Sequence, residues 1–108
     1  MALEITPRDL AKLLANDKPI RLLDVRQPQE NQFAQLEGST LIPLNELQAR
    51  AEEIALEPGM LTVVYCHHGI RSQTAAEFLL RLGHLDVRSL AGGIDAGSCE
   101  VDPTVPRY

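Results

Sequence analysis

A chain of 108 residues with a formal charge of −5 is long enough for one modest core and short of two, so a single domain over 1–108 is expected. Its 44% apolar and 23% charged residues are ordinary for a globular protein, and no apolar run approaches the roughly 18 residues of a membrane span. Ten basic residues are scattered among fifteen acidic ones, and Phe33, Tyr65, Phe78 and Tyr108 do not interleave with them, which argues against nucleic acid as a partner.

The start, "MALEITPRDLAKLL", carries Glu4 and Asp9 and lacks the basic end, apolar block and cleavage site of a secretory signal, so a cytoplasmic protein is expected. Thr6 as N-cap, Pro7 at the first helical position and Asp9 two residues later open a first helix, with Leu10, Leu13 and Leu14 on one face and an end near Asn16. "PIRLLDV" and the proline-broken "STLIPL" read as buried strands. "NELQARAEEIAL" places Leu47, Ala51, Ile54 and Ala55 at helical spacing before Pro58-Gly59 and predicts a second substantial helix. "MLTVVY" is the clearest strand. Ala75, Phe78, Leu79 and Leu82 mark a helix stopped by Gly83, "LDVRSL" is a further strand, and Gly92-Gly93 precede a short "IDA" segment. Strands and helices alternate, which predicts an α/β fold with a mainly parallel sheet.

Between the clearest strand and its helix stands "CHHGIRS". In open parallel sheets, sites form beyond the carboxyl ends of strands, where loops enter helix amino termini. A helix starting near Arg71 or Ser72 offers unpaired N–H groups and the positive end of its dipole to an anion, and a thiolate at Cys66 is such an anion. Gly69 permits a loop conformation in which successive N–H groups curl into a nest, and Arg71, with His67 and His68 when protonated, adds positive charge.

A cysteine ending a strand is often only a small buried hydrophobe. Here glycine, histidines and arginine surround it, beyond what a bare connection requires. His67 and His68 individually read as solvated loop residues. A metal site is not expected, because consecutive residues do not converge on one tetrahedral ion and no distant Cys/His cluster completes it. Nor is a papain-like pair, since the remaining histidine, His84, follows a helix end where a surface position is the default. Cys66 and Cys99 form neither a disulfide scaffold nor a CxxC pair.

"CHHGIRS" resembles the active-site loop of the rhodanese-like sulfurtransferases. "LLDVRQPQE", "IPLNEL" and "LAGGIDA" resemble further family segments in the family's order, from about Thr6 to Ala96. The resemblance implies a five-stranded, mainly parallel sheet with helices on both faces and no cofactor. It implies that Cys66 carries sulfane sulfur as a persulfide, taken from a small anionic donor such as thiosulfate and given to cyanide, a thiol or a protein. The N–H groups of His67, His68, Gly69, Ile70 and Arg71 would then cradle the outer sulfur, Arg71 would bind the donor, and Asp24, Arg26 and Glu30 would serve structure through ion pairing. His67 stands where relatives often have a second basic residue, and Gly97 where many have an aromatic one.

Two other classes are weighed. Phosphatases and arsenate reductases also place a cysteine and an arginine around an oxyanion, but with five intervening residues, against the four of "HHGI". A catalytically silent binding module normally lacks the cysteine that this loop has.

Overall fold

A computed structural model describes residues 3–16, 19–36, 38–54, 59–67, 69–84 and 86–94. His68, Cys99, Gly97, Ala55, Pro58 and the Asp95 and Ala96 of the "IDA" segment lie outside the described residues.

Among the described residues, strands and α-helices follow in chain order: β1 (Glu4–Ile5), α1 (Pro7–Ala15), β2 (Ile20–Asp24), α2 (Pro28–Phe33), β3 (Thr40–Leu41), α3 (Leu47–Arg50), β4 (Leu61–Tyr65), α4 (Ile70–Arg81) and β5 (Val87–Leu90). The strands form one sheet in the order β1-β5-β4-β2-β3, and every neighbouring pair is parallel.

Successive strand residues face opposite sides of a sheet, and here the two sides bury separate cores. Leu22, Val63, Tyr65 and Leu90 pack with Ile5, Leu10, Ala34, Leu36 and Ile94. Leu23, Val64, Cys66 and Val87 pack with Leu47, Ile54, Ala75, Ala76 and Leu79. Helices thus cover both faces, with α1 on the first side and α3 and α4 on the second. Cys66 falls two residues beyond Val64 and therefore faces α4. The loops after β2, β4 and β5 meet at the carboxyl end of the sheet: the Val25 N–H donates to the Tyr65 carbonyl at 3.1 Å, and the Ile94 N–H to the Cys66 carbonyl at 2.7 Å.

α1 begins as its sequence dictates, with the Asp9 N–H donating to Thr6 Oγ1 at 3.1 Å, a cap worth about 1 kcal/mol. Elsewhere the structure differs from the expectation. Instead of one helix over 45–56, a 3₁₀ turn (Leu44–Glu46), the single turn of α3 and another 3₁₀ turn (Ala51–Glu53) follow one another. Of the expected apolar stripe, Leu47 and Ile54 are buried; two anchors do not hold a regular helix that is marginal by itself. The strand expected over 39–44 shortens to β3, and beyond it the Ile42 and Leu44 N–H groups donate to the Asp24 and Val25 carbonyls at 2.9 and 3.1 Å.

His84 is buried, at 9% exposure, rather than on the surface. The turn after α4 directs its N–H to the Leu79 carbonyl, and burial followed by the charge of Arg21 lowers its pKa. Because α4 runs from the carboxyl end of β4 to the amino end of β5, this histidine sits at the end of the sheet opposite the Cys66 loop. No helix among the described residues is long and apolar enough to cross a membrane.

Candidate active site

β4 delivers Cys66 to the mouth of α4, a helix that starts one residue earlier than expected, at Ile70. Its N-cap is Gly69, at φ +107°, in the left-handed region that glycine tolerates and other residues rarely enter. A glycine has no side chain to cap the helix. The cysteine supplies one: the Gly69 N–H donates to Cys66 Sγ at 3.0 Å and the Ser72 N–H at 3.4 Å. Sulfur thus occupies the place of a capping oxygen, at the end of α4 where the backbone N–H groups have no partner within the helix. Cys66 itself is 1% exposed.

The second glycine that the site requires is Gly93. At φ +63°, a Cβ there would stand 2.3 Å from the Cys66 carbonyl oxygen and 2.4 Å from that of His67. Side chains larger than hydrogen do not fit. Together with the Ile94 N–H bond to Cys66, this close approach pins the base of the loop from beneath.

The residues singled out in the sequence fall into three groups. Cys66 and Gly69 are joined directly. Arg71 is bidentate to Glu30, Nη1 to Oε1 at 2.8 Å and Nη2 to Oε2 at 3.0 Å. Glu30 Oε1 also accepts the Gln27 N–H at 3.0 Å, so one carboxylate caps α2 and holds the loop arginine. Asp24 and Arg26 form a separate, fully buried pair with bonds of 2.9 and 2.7 Å. Asn31 Nδ2 donates to Asp24 at 2.9 Å, and the Arg26 guanidinium lies 5.4 Å from the centre of the Tyr65 ring. Burial, then the Asp24 charge, raises the pKa of Tyr65, whose hydroxyl donates to Ser39 Oγ at 2.8 Å. This cluster ties β2, α2 and the segment before β3 together beside the loop. His67 is half-buried, whereas Ile70 is 81% exposed and turns from the sulfur to solvent.

Sequence reading missed two residues that touch the site's polar network. Ser72 Oγ lies 3.6 Å from Cys66 Sγ, within the longer reach of sulfur, and donates to the Gly69 carbonyl at 3.0 Å. Ser89 Oγ lies 2.6 Å from Ser72 Oγ; both serines are fully buried. The signal was present in "LDVRSL": two residues beyond Val87, position 89 faces α4, and a serine on that apolar face needs a partner.

The chain matches the rhodanese-like domain model over residues 6–98. It is 39% identical over 90 residues to the Rhodanese-like/PpiC domain-containing protein 12, chloroplastic, of Arabidopsis thaliana, covering 82% of this chain and 30% of that protein. A sulfurtransferase of Allochromatium vinosum is 31% identical over 96 residues, covering 89% of this chain and 88% of that one. The chain spans 30% or less of the length of the first curated relatives it matches. Among solved structures, a rhodanese-related protein from Thermoplasma volcanium superposes with a TM-score of 0.78 at 33% identity, over 96% of this chain and 95% of that one. Family model, sequence relatives and shared parallel sheet agree, and this chain belongs to the rhodanese-like family, alongside a sulfurtransferase of matching size.

Proposed function

We propose that the chain is a sulfurtransferase that carries sulfane sulfur on Cys66. The observation that supports this most directly is the sulfur's position as cap of α4, accepting two backbone N–H groups at 3.0 and 3.4 Å. In the first half-reaction the Cys66 thiolate attacks the terminal sulfur of thiosulfate. The new S–S bond forms as the sulfur–sulfonate bond breaks, and sulfite leaves with that bond's electron pair. In the second half-reaction cyanide, a thiolate or a protein thiolate attacks the outer sulfur, and the Cys66 thiolate leaves. No oxidant enters, because the transferred sulfur is already at the sulfane level.

The loop amides are the donors at hand for the outer sulfur, and Arg71 is the cation at hand for the donor's sulfonate. At 1% exposure Cys66 must become accessible before it meets a donor, so loading is the step that demands a local opening. A phosphoryl group is a poorer fit: its three outer oxygens need more donors than a four-residue span provides once the Gly69 amide of that span is engaged by sulfur.

Thiocyanate formation from thiosulfate and cyanide tests the proposal. Wild type should turn over, and Cys66→Ser should not. Retained turnover in Cys66→Ser, or aryl phosphate hydrolysis outpacing sulfur transfer, would overturn it.

A further inference from the structure

The hydroxyls of Ser72 and Ser89 pose an accounting problem whose solution has a function. Ser72 Oγ has three neighbours: Cys66 Sγ at 3.6 Å, the Gly69 carbonyl at 3.0 Å and Ser89 Oγ at 2.6 Å. It owns one proton. The Gly69 carbonyl can only accept; with the Ser72 proton directed there, Ser72 Oγ accepts from the Ser89 hydroxyl and from the Cys66 S–H. Every proton is placed once, and the arrangement suits a thiol.

When Cys66 loses its proton to solvent base, the S–H donor becomes an acceptor and the arrangement must change. Rotation about the Ser72 Cβ–Oγ bond brings its O–H onto sulfur. The Gly69 carbonyl is not orphaned, because the Gln73 N–H also donates to it, at 3.2 Å. The Ser89 hydroxyl keeps donating to Ser72 Oγ in both states and so fixes the direction in which the Ser72 proton can turn. Two hydrogen-bond patterns thus exist on one set of heavy atoms, one for the neutral sulfur and one for the anion.

Resting on Cys66 as the sulfur carrier, we infer that Ser72, oriented by Ser89, is a catalytic hydroxyl that donates to Cys66 Sγ whenever that atom bears charge. Sγ is anionic before it attacks the donor and again as it leaves the persulfide; in the persulfide the charge sits on the outer sulfur. The hydroxyl therefore favours the attacking and departing states over the loaded one. Ser89 is a positioning residue that acts through Ser72.

Ser72→Ala isolates the hydroxyl, since the backbone N–H to sulfur remains and alanine suits a helix interior. Two readouts separate this role from a structural one and from the sulfurtransferase assignment itself. The first is the pH profile of Cys66 alkylation by iodoacetamide, which needs no sulfur donor. Ser72→Ala should move it to higher pH, Ser72→Thr should restore it, and Ser89→Ala should fall between. The second is thiocyanate formation, in which Ser72→Ala should lower kcat by roughly tenfold or more, the scale of a lost bond to a charged group, with the KM for cyanide unchanged. An alkylation profile of Ser72→Ala that superimposes on wild type would overturn the inference, as would an unchanged kcat. A shifted profile in a protein whose wild type transfers no sulfur would uphold the hydroxyl's role toward the thiolate and overturn the proposed activity instead.

Discussion

Glu30 and Arg71, 41 residues apart, are joined by two charge-assisted bonds of 2.8 and 3.0 Å, with 22% and 36% of their side chains exposed. The loop arginine is therefore held in place and electrically offset by the same carboxylate. Position and charge can be separated by mutation. Arg71→Ala removes both and should raise the KM for thiosulfate. Glu30→Gln keeps the cation, removes the offset and should lower that KM by about threefold, a modest effect because solvent screens the pair. The gain should shrink as salt is raised from 0.01 to about 0.15 M, where screening shortens to roughly 8 Å. Steady-state kinetics at two ionic strengths check this; a KM for thiosulfate that rises in Glu30→Gln would show that placement of the guanidinium outweighs its charge.

Gly93 offers a test of how the loop is supported. Gly93→Ala puts a methyl group 2.3 Å from the Cys66 carbonyl and should displace the loop, abolish transfer and destabilise the fold. Gly59→Ala is the control: its φ of +82° is comparable, yet nothing lies within 4 Å. It should carry only the backbone cost of about 1–2 kcal/mol and keep its activity. Urea unfolding and thiocyanate assays on both variants separate strain from collision, and equal losses in the two would remove the close approach as the reason for glycine at 93.

Much of this was legible in the sequence, for physical reasons that also mark where legibility stopped. α1 could be read because its cap and apolar face lie within ten residues. β4 could be read because burial on both faces demands an unbroken apolar run. Cys66 stood out because glycine and arginine beside a strand end serve an anion better than a connection. α2 could not be read from an apolar stripe, since "PQENQF" has none; Pro28 at its first position and Glu30 at its third were the available signs. β1, two residues long, exists through pairing with β5 at the other end of the chain. The Glu30–Arg71 and Ser72–Ser89 pairs likewise join residues that only the parallel topology brings together.

His84 makes the pH dependence of stability specific. Its pKa in the fold lies below the ordinary 6.5, chiefly because burial disfavours the charged ring. Below 6.5 the unfolded chain takes up a proton first, so it binds more protons than the folded one and stability rises with pH in that window. The contribution is complete above 6.5 and lost as pH falls through the folded value. Urea unfolding should show wild type weakening between pH 7.5 and 5.5 more steeply than His84→Gln. Identical slopes would show that His84 is solvated like an ordinary surface histidine. Sulfur transfer at neutral pH should be unaffected by this substitution, because the residue sits at the far end of the sheet.

The claim on which the rest depends is that Cys66 receives sulfur covalently. Intact mass after incubation with thiosulfate and removal of the excess reads it most directly. The expected result is the gain of one sulfur atom by wild type and by Cys99→Ser, none by Cys66→Ser, and complete loss of the added mass when cyanide follows. An added sulfur that persists in Cys66→Ser, or a wild-type mass unchanged by thiosulfate and by persulfide donors alike, would contradict it.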